Sequence, residues 1–232
     1  MNRILDFKPK AFLFDMDGTL YDSMPNHASS WYQMVCEHGI PCTPEEFYLY
    51  EGATGHFTVD MLIQRAWNRN ATPEEVEEFY QRKAEIFRSK PAPGVMPGAR
   101  RLADAVASLP WHPQTILVTG SAQGSLLDRL DLDFPGRFPA QRRVTALNVK
   151  RGKPYPDPFL QGAALAGVDP AECVVIENAP LGVTAGDRAG CFTVAVATGP
   201  IPHERLAEAG ADLIFGSMPE CAAKLPEMLC RI

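Results

Sequence analysis

No cluster of basic residues occurs in this chain, no C-x-x-C pair appears among its six cysteines, and its first residues form no long apolar run. Each absence removes a class of function. With 22 basic against 28 acidic residues the net charge is −6, so nucleic acid, which demands a positive surface, is not an expected partner. Met1-Asn2-Arg3-Ile4-Leu5-Asp6-Phe7-Lys8 predicts neither a signal peptide nor a membrane anchor, and the expected location is the cytoplasm. Cys36, Cys42, Cys173, Cys191, Cys221 and Cys230 are scattered and read as reduced, mostly buried thiols. Internal repeats and low-complexity tracts are also missing. What remains is 232 residues with 46% apolar and 22% charged content, enough for a packed core in one large domain, or one domain with an insertion. A monomer is expected.

Proline marks the organisation. Breaks at Ser23-Met24-Pro25 and Lys90-Pro91-Ala92-Pro93-Gly94 enclose a stretch with a helical pattern throughout. Asn26 is expected to cap a helix that carries Trp31, Met34 and Val35 and ends at Gly39. Thr43-Pro44-Glu45-Glu46 and Thr72-Pro73-Glu74-Glu75 each have the form of a capping box with proline at the first helical position, and another helix is expected over 59–67. Outside this stretch, apolar strand-length runs at 12–15, 115–119, 173–177, 192–197 and 213–215 alternate with helical stretches near 98–109, 122–130, 158–166 and 181–189. Continuous apolar strands separated by helices predict a parallel sheet covered on both faces, with ligands at the carboxyl ends of the strands. The expected fold is a doubly wound α/β core, residues 1–24 and 91–232, with an all-helical cap, residues 25–90, inserted soon after the first strand.

Four segments fall at those strand ends. Ala11-Phe12-Leu13-Phe14-Asp15-Met16-Asp17-Gly18-Thr19-Leu20 runs from an apolar stretch into two carboxylates spaced i, i+2. On one reading this is an edge strand entering a polar turn. On the other, the chain turns just past the strand, Gly18 permits the turn, and Asp15 and Asp17 converge on one small volume. Ile116-Leu117-Val118-Thr119-Gly120-Ser121 ends a second strand either in a serine helix cap or in an anion site, where Thr119 and the amides of Gly120 and Ser121 meet a phosphoryl group. Gly152-Lys153-Pro154-Tyr155-Pro156-Asp157-Pro158-Phe159 holds a lysine in a loop stiffened by proline, and Val174-Val175-Ile176-Glu177-Asn178-Ala179-Pro180-Leu181-Gly182 carries Glu177 and Asn178 off a third strand. A surface lysine and an acidic helix cap are the plainer readings. Two carboxylates beside an anionic substrate require a cation, and oxygen-only ligands select Mg²⁺.

Taken in order across nearly the whole chain, these segments resemble the motifs of the haloacid dehalogenase superfamily. The first has its D-x-D-G-[TV]-[LV] form, and the third resembles the K-P-x-P-x-x-[FY] form of the branch with a helical C1 cap. The resemblance implies phosphoryl transfer through an aspartyl-phosphate. Asp15 is then the nucleophile, and Asp17 protonates the leaving oxygen before activating water. Lys153 neutralises Asp15 and the transferring group, Met16, Thr119, Gly120 and Ser121 bind phosphate, and Asp15, Asp17, Glu177 and Asn178 hold Mg²⁺. The fourth motif of this branch is usually E-D-S-x-x-G. Asn178 departs from it, and an amide brings no charge, so metal affinity falls unless another carboxylate compensates.

The inserted helices bear on substrate. No lysine occurs from Ala11 through Arg82, so the Schiff-base lysine of phosphonatase relatives is not expected. Asp17 speaks against haloacid dehalogenases, which lack the second aspartate and need no Mg²⁺. Met24-Pro25-Asn26-His27-Ala28-Ser29-Ser30-Trp31 resembles β-phosphoglucomutase-like proteins, with His27 placed to hydrogen-bond Asp17; a partly exposed histidine at a helix start is the alternative. Their Lys-Gly-x-x-Arg loop is here Glu51-Gly52-Ala53-Thr54-Gly55. Losing two cations from a distal phosphate site removes bonds worth roughly 1.5–3 kcal/mol each, which weighs against a mutase. Glu51 is either a solvated helix-end residue or a carboxylate that reaches the metal or its waters on closure. Some proteins of this branch with the Glu-Gly-x-Thr-Gly and Glu-Asn-Ala-Pro-Leu-Gly forms are pyrophosphatases. The expectation is a phosphohydrolase acting on a small phosphorylated compound, inorganic pyrophosphate first. β-Phosphoglucomutase is the alternative, and a catalytically quiet binding protein on the same fold is the second.

Overall fold

In the computed structural model, which describes residues 6–121 and 124–231, β1 (Ala11–Phe14) lies inside the sheet with all four residues buried. Alternation sends Phe12 and Phe14 to one face and Ala11 and Leu13 to the other. The chain then leaves the sheet for α1 (Met24–Glu37), α2 (Glu46–Leu49), α3 (Gly55–Trp67) and α4 (Pro73–Ser89). These helices bury an apolar cluster of their own around Trp31, Met34, Phe47, Leu62 and Phe79. The return passes through α5 (Ala99–Ala107), β2 (Gln114–Val118), α6 (Gly124–Leu127), α7 (Leu130–Asp133) and β3 (Arg143–Val144). It continues with α8 (Asp157–Ala166), β4 (Cys173–Glu177), α9 (Pro180–Arg188), β5 (Phe192–Val196), α10 (His203–Glu208), β6 (Leu213–Phe215) and α11 (Met218–Leu229).

All strand pairs are parallel, in the order β3-β2-β1-β4-β5-β6, so this is a doubly wound α/β sheet. The winding reverses beside β1, where such sheets open a crevice at their carboxyl ends. Phe14 is in register with Leu117 of β2 and Ile176 of β4, which brings Asp15 level with Glu177 and beside the end of β2. Leu102 and Val106 of α5 and Leu225 of α11 cover one face; Phe159 and Ala163 of α8 and Ala185 of α9 cover the other.

Several local expectations are corrected. Helix α1 starts at Met24 after Ser23, with Pro25 in its first turn, and Asn26 Nδ2 donates instead to the Pro91 carbonyl at 2.8 Å. Helix α3 starts at Gly55 rather than 59 because the Thr54 hydroxyl accepts from the Phe57 amide. The reciprocal capping box forms at Thr72 and Glu75. At Thr43 one half is present, with Glu46 accepting from the Thr43 amide while Arg65 pairs with its carboxylate. The helix expected over 122–130 is two short ones, and Ala122 and Gln123 lie outside the described residues. Strand β3 and helices α10 and α11 fall outside the expected set. The thiols are not mostly buried: Cys173, Cys191 and Cys221 are, whereas Cys36 and Cys230 are exposed and Cys42 is intermediate. Among the described residues no helix is long and apolar enough to cross a membrane.

Candidate active site

Asp15 is the first residue past β1, held there by its amide, which donates to the Ile176 carbonyl at 3.0 Å. The chain then folds back on itself. The amides of Leu20 and Tyr21 converge on the Met16 carbonyl at 2.9 and 3.0 Å, and the Gly18 amide donates to the Tyr21 carbonyl at 2.8 Å. Gly18 has φ +80°, and a Cβ there would overlap the side chains of Asn178 and Glu51, so the turn requires glycine on two counts. Lys153 Nζ lies 2.5 Å from Asp15 Oδ1, 2.6 Å from Glu177 Oε1 and 3.2 Å from the Val118 carbonyl. All three side chains are buried. The other oxygen of Glu177 accepts from the amides of Asn178 (2.8 Å) and Ala179 (3.1 Å), and Gly182 leaves room for it, since a Cβ there would overlap the carboxylate. Among the described residues, Asp15 Oδ2 is a buried oxygen with no hydrogen-bond partner. Burial, with Glu177 and Asp17 nearby, pushes the Asp15 carboxyl up against the pull of Lys153. An ionised nucleophile at this position therefore calls for a further cation.

Asp17 faces the inserted helices. Its Oδ1 accepts from Ser23 Oγ at 2.7 Å and lies 3.1 Å from His27 Nε2. His27 Nδ1 lies 2.7 Å from Lys83 Nζ, and the ring stacks on Phe87 with centroids 4.2 Å apart. Burial raises the Asp17 carboxyl, but His27, Ser23 and Lys83 outweigh it and the net shift is downward. Burial and the Lys83 charge lower His27, against the pull of Asp17; burial also lowers the Lys83 amine to about 7, again against Asp17. A Lys83 ammonium donating to Nδ1 leaves the imidazole proton on Nε2, where it donates to Asp17. Here the expectation drawn from lysine scarcity fails. Lys83 stands one residue beyond the lysine-free stretch, on the buried α4 stripe with Phe79 and Phe87, and it lines the site. Imine chemistry is thus not excluded by want of a lysine; what stands against it is the engagement of Lys83 by His27.

Glu51 comes from the turn between α2 and α3. It is buried, and its Oε1 accepts from Asn178 Nδ2 at 2.8 Å, while Asn178 Oδ1 accepts from Thr19 Oγ1 at 3.2 Å. The solvated helix-end reading of this residue is therefore ruled out. Burial, then the charge of Asp15, holds the Glu51 carboxyl well above its ordinary range. Between helices and sheet lies a cavity of about 60 Å³. Asp15, Asp17, His27, Glu51, Lys83, Thr119, Gly120 and Ser121 line it, and Trp31, Phe47, Tyr50 and Tyr80 give it an aromatic wall. Gly120 and Ser121 do so from the segment that follows β2. The Ser121 amide donates to the Thr119 hydroxyl at 3.0 Å, and the described part of α6 is Gly124–Leu127, with Ala122 and Gln123 outside the described residues. The Met16 side chain is packed in the core, so only its backbone is available to a ligand.

Four carboxylates (Asp15, Asp17, Glu51, Glu177) meet two ammonium groups (Lys83, Lys153) in and beneath this cavity. That surplus of carboxyl over ammonium groups and the all-oxygen donor set fit Mg²⁺. Asp15 and Asp17 line the cavity where such an ion would sit, and Asn178 stands beside them through its contact with Glu51. Glu177, also expected as a ligand, has Oε1 bonded to Lys153 and Oε2 to the amides of Asn178 and Ala179. Among the described residues no three His, Cys, Asp or Glu side chains converge as a ready metal cage.

Residues 9–190 match the haloacid dehalogenase-like hydrolase family. The chain belongs to that family. Hexitol phosphatase A of Escherichia coli is 35% identical across 91% of this chain and 92% of its own length. β-Phosphoglucomutase of Bacillus subtilis is 30% identical across 82% and 84%. Among solved structures, a candidate β-phosphoglucomutase from Bacteroides vulgatus superposes with a TM-score of 0.91 at 45% identity, covering 97% of this chain and 90% of that one. These neighbours place this haloacid dehalogenase-like hydrolase in the β-phosphoglucomutase-like branch. Beyond the expected residues, its site includes Ser23 and Lys83 behind Asp17, Thr19 against Asn178, and Thr198, whose hydroxyl donates to the Gly18 carbonyl at 2.6 Å.

Proposed function

We propose that this protein is a Mg²⁺-dependent phosphohydrolase working through an aspartyl-phosphate on Asp15. The observation that carries this reading is the buried Asp15 carboxylate, one oxygen fixed by Lys153 and the other unpartnered, at the floor of the cavity. A nucleophile held by one atom and open at the other is what in-line attack needs. Asp15 Oδ2 bonds to phosphorus as the bond to the leaving oxygen breaks, and Asp17 supplies that oxygen with a proton. Asp17 then takes a proton from the water that attacks phosphorus, which releases phosphate and restores Asp15. Lys153 and Thr119 hold the phosphoryl oxygens, and His27 with Lys83 orient Asp17. Mg²⁺, held by Asp15, Asp17 and Asn178, supplies charge neutralisation when bound. In this reading residues 25–90 are a cap over a catalytic core of 1–24 and 91–232, and cap closure brings His27, Glu51 and Lys83 to the chemistry.

Inorganic pyrophosphate is the leading substrate. The Glu51–Asn178 contact supports it, because a cap carboxylate beside the metal ligands suits a substrate that arrives with its own Mg²⁺. A sugar phosphate is the second reading, favoured by the aromatic wall and by relatives that include hexitol phosphatase A, a fructose-1-phosphate phosphatase and β-phosphoglucomutase. Phosphate release from pyrophosphate, sugar phosphates and an aryl phosphate, with Mg²⁺ and with chelator, separates the two. Pyrophosphate is expected to lead in kcat/KM, and chelator to abolish every rate. Glu51→Lys is expected to depress pyrophosphate hydrolysis far more than aryl phosphate hydrolysis; equal losses would leave Glu51 no special role.

A further inference from the structure

The turn that carries Glu51 rests on two loops of the core at places that admit no side chain. A Cβ at Gly120 would overlap the Gly52 carbonyl oxygen and lie 3.2 Å from that of Ala53. Both obstacles are backbone atoms and cannot swing aside. A Cβ at Gly152 would lie 2.5 Å from Thr54 Cγ2 and 3.4 Å from the Thr54 amide nitrogen. Gly52, at φ +85°, packs on the Lys153 stem, its own Cβ position 3.0 Å from Lys153 Cδ. Gly120 directly follows Thr119, and Gly152 directly precedes Lys153. The atoms that a Cβ at Gly120 or Gly152 would strike all belong to residues 52–54, the chain immediately after Glu51.

We infer that Gly120 and Gly152 determine substrate size, by letting residues 51–54 seat deeply enough for Glu51 to reach Asn178 and close the cavity. A methyl group at either position lifts the turn, parts Glu51 from Asn178 and enlarges the cavity toward bulkier phosphate esters. Gly152 lies outside the cavity lining and acts as a positioning residue, through the placement of Glu51. The size preference rests on the small-substrate reading above; the seating of the turn stands on geometry alone.

The test uses Gly152→Ala, Thr54→Ser and the double variant in the full chain with Mg²⁺. Thr54→Ser removes the methyl group that the new Cβ would meet and keeps the hydroxyl that caps α3. Two quantities are followed: amide hydrogen exchange over residues 50–55, and kcat/KM for pyrophosphate relative to p-nitrophenyl phosphate. Gly152→Ala is expected to speed exchange in that segment and to lower the ratio on the order of tenfold or more. The double variant is expected to return both toward wild type, with Thr54→Ser alone leaving them unchanged. Unaltered exchange in Gly152→Ala overturns the inference. So does a double variant no better than Gly152→Ala, since the fault would then lie in the Lys153 loop itself. If the wild type does not hydrolyse pyrophosphate, the substrate reading falls separately and the exchange rescue still decides the seating. Should Gly152→Ala fail to fold, Gly120→Ala carries the exchange measurement alone: faster exchange over residues 50–55 supports the seating, and unaltered exchange overturns it.

Discussion

Lys83 packs its ammonium between the rings of Trp31 and Phe87, 5.2 and 5.0 Å from their centroids, with His27 as its hydrogen-bond partner. Burial lowers its amine from 10.5 to about 7, with Asp17 pulling the other way. Between those two values the unfolded chain binds a proton that the folded chain does not, so this residue makes stability rise with pH across that window. Its burial is most costly at and below the folded value. Lys83→Met is expected to gain stability over wild type by more at about pH 7 than at about pH 10, as read by urea denaturation. A difference that does not vary with pH would contradict the shift. At this scale the chemistry was legible unevenly. Asp15, Asp17 and Lys153 stood out because covalent phosphoryl transfer needs those residue types at strand ends. Lys83 had a signal, a cation on the apolar stripe of α4, but it lies one residue past the lysine-free stretch and is easily passed over. Ser23 and Thr198 had none, because a hydroxyl meeting Asp17 or the Gly18 carbonyl depends on segments far apart in the chain.

Elements were legible where burial is complete. Strand β4 falls at the expected bounds, and β1, β2 and β5 within one residue at each end, because residues covered on both faces form unbroken apolar runs; the edge strand β6, two of its three residues partly buried, also falls at its expected bounds. Strand β3 has two residues, too few to show any period. Helix α11 does carry a helical apolar period, Met218, Cys221, Ala222, Leu225 and Leu229, but Pro219 and Pro226 disguise it. Helix α4 is the opposite case, announced by its capping box and formed as announced. Thr72→Ala removes the hydroxyl that accepts from the Glu75 amide at 3.2 Å and is expected to cost about 1 kcal/mol by chemical denaturation. No loss on that substitution would mean that packing of Phe79, Ile86 and Phe87, rather than the cap, sets the start of α4.

The whole molecule divides the work between its two parts. The sheet reverses beside β1 and places Asp15, Thr119, Lys153 and Glu177 at one level, a placement that follows from strand order. The inserted helices supply His27, Lys83 and Glu51, and their arrival depends on packing between segments that periodicity does not describe. That is why the core chemistry was readable before the substrate. The central claim is covalent: phosphoryl transfer passes through Asp15. The most direct measurement quenches the enzyme in acid during turnover of its best substrate with Mg²⁺, reduces any acyl phosphate with borohydride, and sequences the peptide spanning residues 11–20 by mass spectrometry. Homoserine at position 15, absent when Mg²⁺ is chelated, is the expected result. Continued turnover with position 15 unmodified, or homoserine at position 17 instead, would contradict it.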